Sequence, residues 1–509
     1  MAAAVFGLGL CAGCESPSVG IAPPSDGLFF PVGLALDPKP DPGDPQGAPR
    51  YLFVTNANSD RAYAGSTVVA VDLRAFWDAW YDPALDAPDP YCREDVGRCV
   101  QPPGAPVDAT YPCRHLAQAP QVVECEEAPF VVDAVRVGHF AARVAVSLEP
   151  DGDVATGRRR LWVPVRGDPS IVYVDVVEGA EGIRLECAQD PDAAHGGPAP
   201  CGDEHRLTHV LDDPDEPRLA REPFNVLVAE GPDYRYAFVA HATGGALTRI
   251  DLGDADRKPR IVEQLFVLDT GNTASGGIGL ALRPCFEAGQ GPLGPADPEP
   301  NVPALSKGCE RPVVYAALRY APRIAMFTVT PLAPEEIGAA TGLRALSYFS
   351  PGGLDPGASF GGAFLGDIAF ADVRGDRLVA VQTQPGALLS VDTSLDDDGV
   401  PANVPAGPPV ELCQQPTTLA IHDDGIDRLA FVTCFRSAHL FVVDLDSMQV
   451  VSETLVGAGP HAVAVDEARE VVYVSNSLEA TISVVDISRS RPTRFDVIAK
   501  LGLEEPFSQ

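Results

Sequence analysis

The sequence predicts an all-β protein built from repeated units, and three observations support this prediction. A strand–turn–strand phrase recurs, as YLFVTNANSD with STVVAVDL near the start and as VVYVSNSLEATISVVDI at 471–487. Short runs rich in Val, Ile, Tyr and Phe alternate with turn residues along the chain. The chain contains 48 Gly and 50 Pro, concentrated between these runs, as a β protein with many loops requires.

The repeated unit has four predicted strands, and its centre is a hairpin. The hairpins lie at 51–73, 160–176, 236–252, 313–329, 377–392, 428–445 and 471–487. Six of them end their second strand on an aspartate, at Asp72, Asp175, Asp251, Asp392, Asp444 and Asp486, whereas 313–329 has Thr328 in that place. A short apolar strand precedes each hairpin, at 31–36, 142–146, 223–228, 278–282, 366–370, 416–421 and 460–465. A less regular strand follows, as at 131–137, 261–268, 450–456 and 495–501.

The length of the unit indicates the architecture. Thr417 and His461 occupy similar places in adjacent units and are 44 residues apart, close to the roughly 40–45 residues of a four-stranded propeller blade. The inner strands of a blade are covered on both faces, which explains apolar runs in place of strict alternation. The sequence therefore predicts a seven-bladed β-propeller of four-stranded antiparallel blades over residues 30–502, followed by a tail at 503–509.

Two tetrapeptides carry a family resemblance. FVTN at 53–56 and YVSN at 473–476, each followed by a strand that ends in VD, resemble the YVTN-type repeat of bacterial surface-layer and envelope β-propellers. The resemblance is close in the first, sixth and seventh units, while FVAH (238–241) and VAVQ (379–382) keep only the pattern of strand and turn. It implies the fold, but function only broadly, because such repeats occur in binding proteins, lactonase-like hydrolases and redox proteins.

The first residues predict an exported lipoprotein. Residues 2–13 form an apolar stretch too short to span a bilayer, which is typical of a secretion signal. CAGC at 11–14 resembles a bacterial lipobox with Cys14 as the lipidated residue, although Cys11 stands where Leu is usual and no Lys or Arg precedes the stretch. Residues 1–14 are then a signal segment and 15–29 a flexible tether. The alternatives are a plain apolar N-terminus and a redox pair of Cys11 and Cys14.

This interpretation places the protein in the bacterial cell envelope, held by a lipid anchor on the periplasmic or surface side of the outer membrane. The net charge of −34 argues against a nucleic-acid partner, because the phosphate backbone needs a basic surface. The chain has no CxxCH motif for c-type haem, and its cysteine spacings do not fit a zinc site. No cofactor and no metal are predicted.

Ten cysteines follow the signal, and disulfides are expected because an exported protein matures in an oxidising compartment. They are Cys92, Cys99, Cys113, Cys125, Cys187, Cys201, Cys285, Cys309, Cys413 and Cys434. Local pairing predicts Cys187–Cys201 and Cys285–Cys309, with the first four paired among themselves. Cys413 and Cys434 both end strands on one face of the predicted propeller, so they are also candidates for a bridge.

Four long insertions are predicted on the opposite, bottom face, at 74–129, 177–205, 283–312 and 393–408. The first contains RAFWDAWYDP, and Trp77, Trp80 and Tyr81 are candidate contacts for a partner because Trp and Tyr contribute much of interface energy. The alternative is a short helix whose rings pack beneath the propeller. If the protein is a binding module, the sequence favours this bottom face, because functional surfaces are often built on extended loops.

The first strand of each unit predicts a second candidate site, on the top face. Arg143, Asn225, Asp367 and His461 occupy comparable places and should converge near the central axis, where a polar funnel could hold a small ligand. The alternative is a solvated channel mouth. The functional prediction is thus a binding or scaffolding module for an envelope protein, glycan or small ligand, without its own chemistry. A lactonase-like hydrolase acting at the top funnel and a redox propeller with an external cofactor are the second and third alternatives.

Overall fold

The computed structural model describes a chain that is almost entirely β. The described residues are 20–82, 84, 86–88, 100–148, 158–179, 182–189, 196–231, 234–254, 257–266, 276–284, 312–319, 323–329, 342–352, 364–396 and 399–503. Within these ranges the α-helical structure is a single helix of eight residues. The all-β prediction is confirmed.

The elements of the first part of the chain fall into two sheets and an insertion. In chain order they are β1 (Pro31–Leu36), β2 (Tyr51–Asn56), β3 (Ser66–Asp72), α1 (Leu73–Trp80), β4 (Tyr81–Asp82), β5 (Ala87–Pro88), β6 (Val100–Gln101), β7 (Cys113–Leu116), β8 (Ala119–Cys125), β9 (Val131–Val137), β10 (Ala145–Leu148), β11 (Arg159–Val165), β12 (Ser170–Gly179), β13 (Gly182–Glu186), a 3-10 turn (Asp203–His205) and β14 (Arg206–Leu207). Strands β1, β2, β3 and β9 form sheet 1, and β10 to β14 form sheet 2.

The rest of the chain forms five more sheets. Sheet 3 contains β15 (Pro223–Gly231), β16 (Tyr234–His241), β17 (Ala246–Asp251) and β18 (Arg260–Phe266), and sheet 4 contains β19 (Gly277–Leu282), β20 (Val313–Leu318), β21 (Ile324–Val329) and β22 (Leu343–Phe349). Sheet 5 contains β23 (Phe364–Phe370), β24 (Arg377–Gln384), β25 (Ala387–Asp392), β26 (Val404–Pro405) and β27 (Val410–Glu411). Sheet 6 contains β28 (Pro416–Asp423), β29 (Arg428–Cys434), β30 (His439–Asp444) and β31 (Gln449–Leu455), and sheet 7 contains β32 (Pro460–Asp466), β33 (Val471–Asn476), β34 (Thr481–Asp486) and β35 (Val497–Leu501).

The hydrophobic core is divided into clusters that each lie between two consecutive sheets. In β2, Phe53 packs against Val163 of sheet 2, while its neighbour Val54 packs against Tyr473 of sheet 7. Successive side chains of a strand point to opposite faces, so an inner strand that is covered on both sides must be apolar at every position. This explains the continuous apolar runs of the sequence. Strand β1 of the first sheet also packs against β32 of the last.

The recurring aspartate closes the turn after the third strand. Its carboxylate accepts a backbone N–H two or three residues later, as at Asp392 (from Ser394, 2.9 Å), Asp444 (from Ser447, 2.7 Å) and Asp486 (from Ser488, 2.9 Å). Short polar side chains favour such local bonds in turns. Asp175 differs: it bonds Arg160 at 2.6 Å, because its strand β12 runs on to Gly179 and no turn begins there.

The insertion between β3 and β9 docks onto sheet 7. Helix α1 starts at the cap of Asp72, whose carboxylate accepts from the Ala75 N–H at 3.1 Å. Strands β6, β7 and β8 then extend sheet 7, because β8 pairs in parallel with β35, with Val123 opposite Ala499 and Cys125 opposite Leu501. The insertion therefore joins sheet 1 to sheet 7.

Two other insertions differ from the prediction in where they leave their sheet. The sequence predicts 177–205 and 393–408 as insertions, but each contains one half of a fourth strand that is split, into β13 and β14 in sheet 2 and into β26 and β27 in sheet 5. In sheet 2 the loop between the halves bonds to β9 of sheet 1, where Arg136 exchanges backbone hydrogen bonds with Ala199 and Cys201 at 3.0 and 2.9 Å. Apolar periodicity alone cannot reveal such a split, because each half keeps its pairing.

Three disulfides are present in the described residues. They join Cys113 to Cys125, Cys187 to Cys201, and Cys413 to Cys434. The predicted Cys187–Cys201 pair is confirmed, as is the candidate bridge between Cys413 and Cys434. The Cys113–Cys125 bridge is one of the pairings that the sequence left open among the first four cysteines. Cys92, Cys99, Cys285 and Cys309 lie outside the described residues, and so does Cys14.

Candidate functional site

Arg143 forms a cluster of polar contacts with residues from two distant sheets. It lies two residues before the start of β10 in sheet 2, and its Nη1 lies 2.9 Å from Asp367 Oδ2 in β23 of sheet 5. Its Nη2 donates to Thr418 Oγ1 in β28 of sheet 6, also at 2.9 Å. Sheets 5 and 6 are consecutive, but sheet 2 is adjacent to neither of them in the chain order, so the guanidinium links sheets that are far apart in the sequence. We call Arg143, Asp367 and Thr418 the central cluster.

The central cluster is a buried ion pair and does not form an open polar funnel. The side chain of Asp367 is 6% exposed and that of Arg143 is 17% exposed. Burial raises the pKa of Asp367 above its usual value, and the positive charge of Arg143 opposes that rise. Asp367 also accepts from the Leu419 backbone N–H at 3.4 Å. The two predicted residues therefore satisfy each other, and neither the open funnel nor the solvated channel mouth describes them.

Glycine allows the first strands to come this close. A Cβ at Gly279 would lie 2.6 Å from the Gly366 carbonyl oxygen and 3.1 Å from the Cα of Asp367. A Cβ at Gly33 would lie 3.0 Å from the Cα of Arg143. All three distances are below ordinary van der Waals contact, so any larger residue would push the first strands apart and separate the ion pair.

Asn225 and His461, the other two predicted residues, each tie neighbouring sheets together. Asn225 donates from Nδ2 to the Ile278 carbonyl of sheet 4 at 2.8 Å and is buried, so it does not face a ligand. His461 donates from Nδ1 to the Val32 carbonyl of sheet 1 at 2.9 Å. Burial, with the charges of Arg143 and Arg166 nearby, lowers the pKa of His461 to about 4. Its ring is therefore neutral at neutral pH, with Nε2 as an acceptor.

Arg166 belongs to the same region and was missed by the sequence analysis. It lies in the turn between β11 and β12, with its guanidinium carbon 5.6 Å from the ring centre of Phe224. The Phe224 ring lies in turn 6.3 Å from the His461 ring. Arg166 Nη2 donates to Glu222 at 3.3 Å, while its Nε is buried without a partner among the described residues. We call Arg143, Arg166, Phe224 and His461 the central mouth.

A usable signal for Arg166 was present in the sequence. Turns between the second and third strands lie at the same end of a sheet as the start of the first strand, so RGDPS at 166–170 had to lie near Arg143. Loop length indicates where a chain has been extended, but it does not indicate which charged side chains converge.

A groove of about 620 Å³ with both polar and apolar lining lies between sheets 5 and 6. The turn from β24 to β25, the segment that precedes β28, and Arg436 in the turn after β29 form its walls. Since Gln384 at the end of β24 pairs with Phe364 at the start of β23, the groove opens at the same end of the sheets as the central mouth. We call it the sheet 5–6 groove.

The predicted aromatic contact surface is wrong, because its tryptophans belong to the core. Trp80 is fully buried and Trp77 is 8% exposed, in a cluster that also contains Phe76 and Phe130. Trp77 Nε1 donates to the Tyr473 hydroxyl of sheet 7 at 2.9 Å. Tyr81 is half-buried and packs with its ring centre 5.1 Å from that of Trp77. The packing alternative describes all three residues, since an apolar helix face beside an open sheet edge gains most by covering it.

Two further searches concern metals and membranes. The described residues contain no group of three or more His, Cys, Asp or Glu side chains placed to hold a metal ion. Among the same residues, no helix has the length and apolarity that crossing a membrane requires.

Comparison with known proteins gives similar shapes at low sequence identity. No protein-family model and no curated protein matches the sequence. Hydrazine synthase of Kuenenia stuttgartiensis has a TM-score of 0.47 and 12% identity, covering 90% of this chain and 96% of that one. A putative 6-phosphogluconolactonase from Bacteroides fragilis has a TM-score of 0.43 and 13% identity, covering 83% of this chain and 82% of that one. The periplasmic gluconolactonase of Pseudomonas aeruginosa has a TM-score of 0.41 and 15% identity, covering 83% of this chain and 84% of that one. Likeness at this level assigns neither a family nor an activity.

Proposed function

We propose that this chain is a seven-bladed β-propeller that acts as a binding module, with the central mouth as its ligand site. Support for the propeller comes from the core, in which a separate apolar cluster lies between each pair of consecutive sheets. One of these clusters joins the last sheet to the first, as a closed ring of blades requires.

The observation that carries the ligand site is the unused hydrogen-bonding capacity of the central mouth. Arg166 keeps a buried Nε donor without a partner among the described residues, and the neutral ring of His461 offers Nε2 as an acceptor. A guanidinium binds carboxylates well, and a hydroxyl can donate to Nε2. The ring of Phe224 lies between the two groups and can cover apolar atoms. The ligand class is therefore a small hydroxycarboxylic acid.

Binding without chemistry is favoured because the strongest charges at the centre are already paired. Arg143 and Asp367 neutralise each other in a site that is nearly dry. The Asp367 carboxylate, which is held by Arg143 and by the Leu419 N–H, is therefore a poor general base. The central cluster then acts as a support that holds the first strands in place beneath the ligand.

Arg166→Met tests this proposal. Wild-type protein is titrated calorimetrically with lactate, malate, tartrate and citrate, and at least one is expected to bind. Arg166→Met should weaken that binding by about tenfold or more, because it removes a charge-assisted hydrogen bond. The matched control is Arg184→Met, at an exposed arginine on the outer edge of sheet 2, which should bind as the wild type does. Failure of all four acids to bind, or equal binding by Arg166→Met, would contradict the proposed site.

A lactonase-like hydrolase is the second candidate, and the neutral His461 is the observation that favours it. Its Nε2 could take a proton from water attacking a lactone carbonyl, with Arg166 beside the developing oxyanion. Because the pKa of His461 is lowered to about 4, the base form persists through neutral pH. Hydrolysis should then be nearly constant above about pH 5 and should fall as the pH drops through about 4.

The hydrolase hypothesis is tested by the rate of δ-lactone opening from below pH 4 to above pH 5. Each rate is corrected for the uncatalysed reaction. His461→Gln should remove the catalysed rate, whereas Arg184→Met should leave it unchanged. A catalysed rate that survives His461→Gln would exclude His461 as the base, and a rate equal to that of buffer alone would leave the binding module as the function.

The cell envelope is proposed as the location, on the resemblance of CAGC at 11–14 to a lipobox. Lipidation of Cys14 would hold the propeller at the membrane through a tether shorter than the predicted 15–29, because Leu28 and Phe29 are buried and the Ile21 carbonyl accepts from the Ala64 N–H at 2.8 Å. Full-length protein should then partition into detergent and Cys14→Ala should not; a wild-type protein that stays in the aqueous phase would rule out the anchor.

A further inference from the structure

We infer that the sheet 5–6 groove is a second binding site and that it takes a neutral oligosaccharide. The groove shares no lining residue with the central mouth, and the inference does not rest on the function proposed there. It rests on the size of the groove, on the side chains that line it, and on the rigidity of its walls.

The side chains of the groove have unused hydrogen-bonding capacity. Gln384, Glu411, Gln414, Gln415 and Arg436 line it and are exposed. Within the described part of the chain, none of these five side chains has a hydrogen-bond or ion-pair partner. Each glutamine amide offers two donors and an acceptor, so the groove presents both kinds of group along its length. A ligand that fits must itself carry many groups that both donate and accept.

The charge and the apolar surface of the groove narrow the class of ligand further. Glu411 and Arg436 contribute one charge of each sign, so the groove favours neither an anion nor a cation. Pro385 and Pro409 are exposed and supply apolar surface beside the amides. A sugar ring combines a rim of hydroxyls with a face of C–H groups, which matches this alternation. A peptide would need a free strand edge or deep apolar pockets for its side chains.

The walls of the groove are held in place before any ligand arrives. The disulfide between Cys413 and Cys434 ties the segment before β28 to the end of β29. Backbone bonds join Leu412 N–H to the Gly386 carbonyl at 3.0 Å and Phe435 N–H to the Gln415 carbonyl at 3.1 Å. At Gly386 a Cβ would lie 2.0 Å from the Cys413 carbonyl oxygen, so the two walls approach as closely as glycine permits. Preformed walls lower the entropy cost of binding.

The size of the groove fits a short oligosaccharide. Its volume of about 620 Å³ lies within the roughly 300–1,000 Å³ of pockets that hold ligands of drug size. Two or three sugar rings are therefore the expected length, and a longer glycan could leave through the open side.

The test uses the full chain and four defined trisaccharides: maltotriose, cellotriose, mannotriose and chitotriose. Titration calorimetry should detect binding of at least one of them at concentrations up to about 10 mM. Gln414→Ala/Gln415→Ala should weaken that binding by about tenfold or more. Gln449→Ala is the matched control, because Gln449 is an equally exposed glutamine on the outer strand of sheet 6, and it should bind as the wild type does.

Three results would overturn the inference. They are absence of binding by all four trisaccharides, equal binding by the double variant, and preferential binding of the acidic sialyllactose or of trialanine. Circular dichroism shows whether the double variant keeps its fold, which is expected because both side chains are exposed. Arg166→Met should keep the sugar binding, so failure at the central mouth and failure at the groove are distinguishable.

Discussion

Replacing residues 84–126 with a short linker is expected to destabilise the whole protein. If the insertion were only a surface for a partner, as one interpretation of the sequence has it, the propeller should instead stay folded without it. Destabilisation is expected because the insertion completes the contact between sheets 1 and 7. Cys113, Val123 and Cys125 are fully buried in the cluster shared by these sheets, and Gly502 N–H donates to the Cys125 carbonyl at 2.8 Å.

The size of the effect follows from the buried groups. Each large apolar side chain contributes about 1.5–3 kcal/mol on burial, and a folded domain has only about 5–15 kcal/mol in total. Loss of the buried side chains of Val122 and Val123, of the disulfide between Cys113 and Cys125 and of the parallel pairing should therefore cost much of the stability, as measured by urea unfolding followed by tryptophan fluorescence. The matched control replaces the exposed stretch 106–110 with Gly and Ser, which leaves β7 and β8 in place. A deletion variant that unfolds at the wild-type urea concentration would contradict the docking of this insertion.

A single substitution examines the same contact without shortening the chain. Trp80→Ala removes the largest fully buried side chain of the cluster and should cost about 3–5 kcal/mol. Partner binding through Trp80 would instead predict a stable variant with a binding defect. A stability loss below about 1 kcal/mol would mean that the ring is not packed as described.

Asp367→Ala is the second substitution with a large expected effect, because it leaves Arg143 buried without its partner. Breaking a buried ion pair from one side typically costs about 3–5 kcal/mol. Three sheets meet at this pair, so its loss should lower the urea concentration at which the whole chain unfolds cooperatively. The measurement is urea unfolding at neutral pH, compared with wild type and with Asp60→Ala, an exposed aspartate in the turn between β2 and β3.

The double variant Arg143→Met/Asp367→Leu separates charge from packing. It removes both charges and keeps much of the volume, so it should recover most of the stability that Asp367→Ala loses. If the double variant is as unstable as the single one, the cost arises from shape and not from an unpaired charge. If neither variant is destabilised, the central cluster does not support the fold.

The sequence alone determined the local structure of this protein. The predicted first strands agree closely with the structure at 31–36, 416–421 and 460–465, where β1, β28 and β32 lie. The disulfide between Cys187 and Cys201 was also predicted, since only 14 residues separate its cysteines. All these features depend on residues close together in the chain, and alternation, turn chemistry and short spacing record such relations directly.

The partner of each side chain across a sheet interface became visible only in the tertiary structure. Trp77 bonds Tyr473 across 396 positions, and Arg143 bonds Thr418 across 275. Nothing in the sequence beside Trp77 distinguishes a ring that covers an adjacent sheet from one that awaits a partner. Likewise, the sequence placed Arg143 and Asp367 near one axis but could not show that they bond each other. Sequence periodicity indicates on which face of its strand a residue lies. The residue that it contacts across a sheet interface depends on how the sheets pack together.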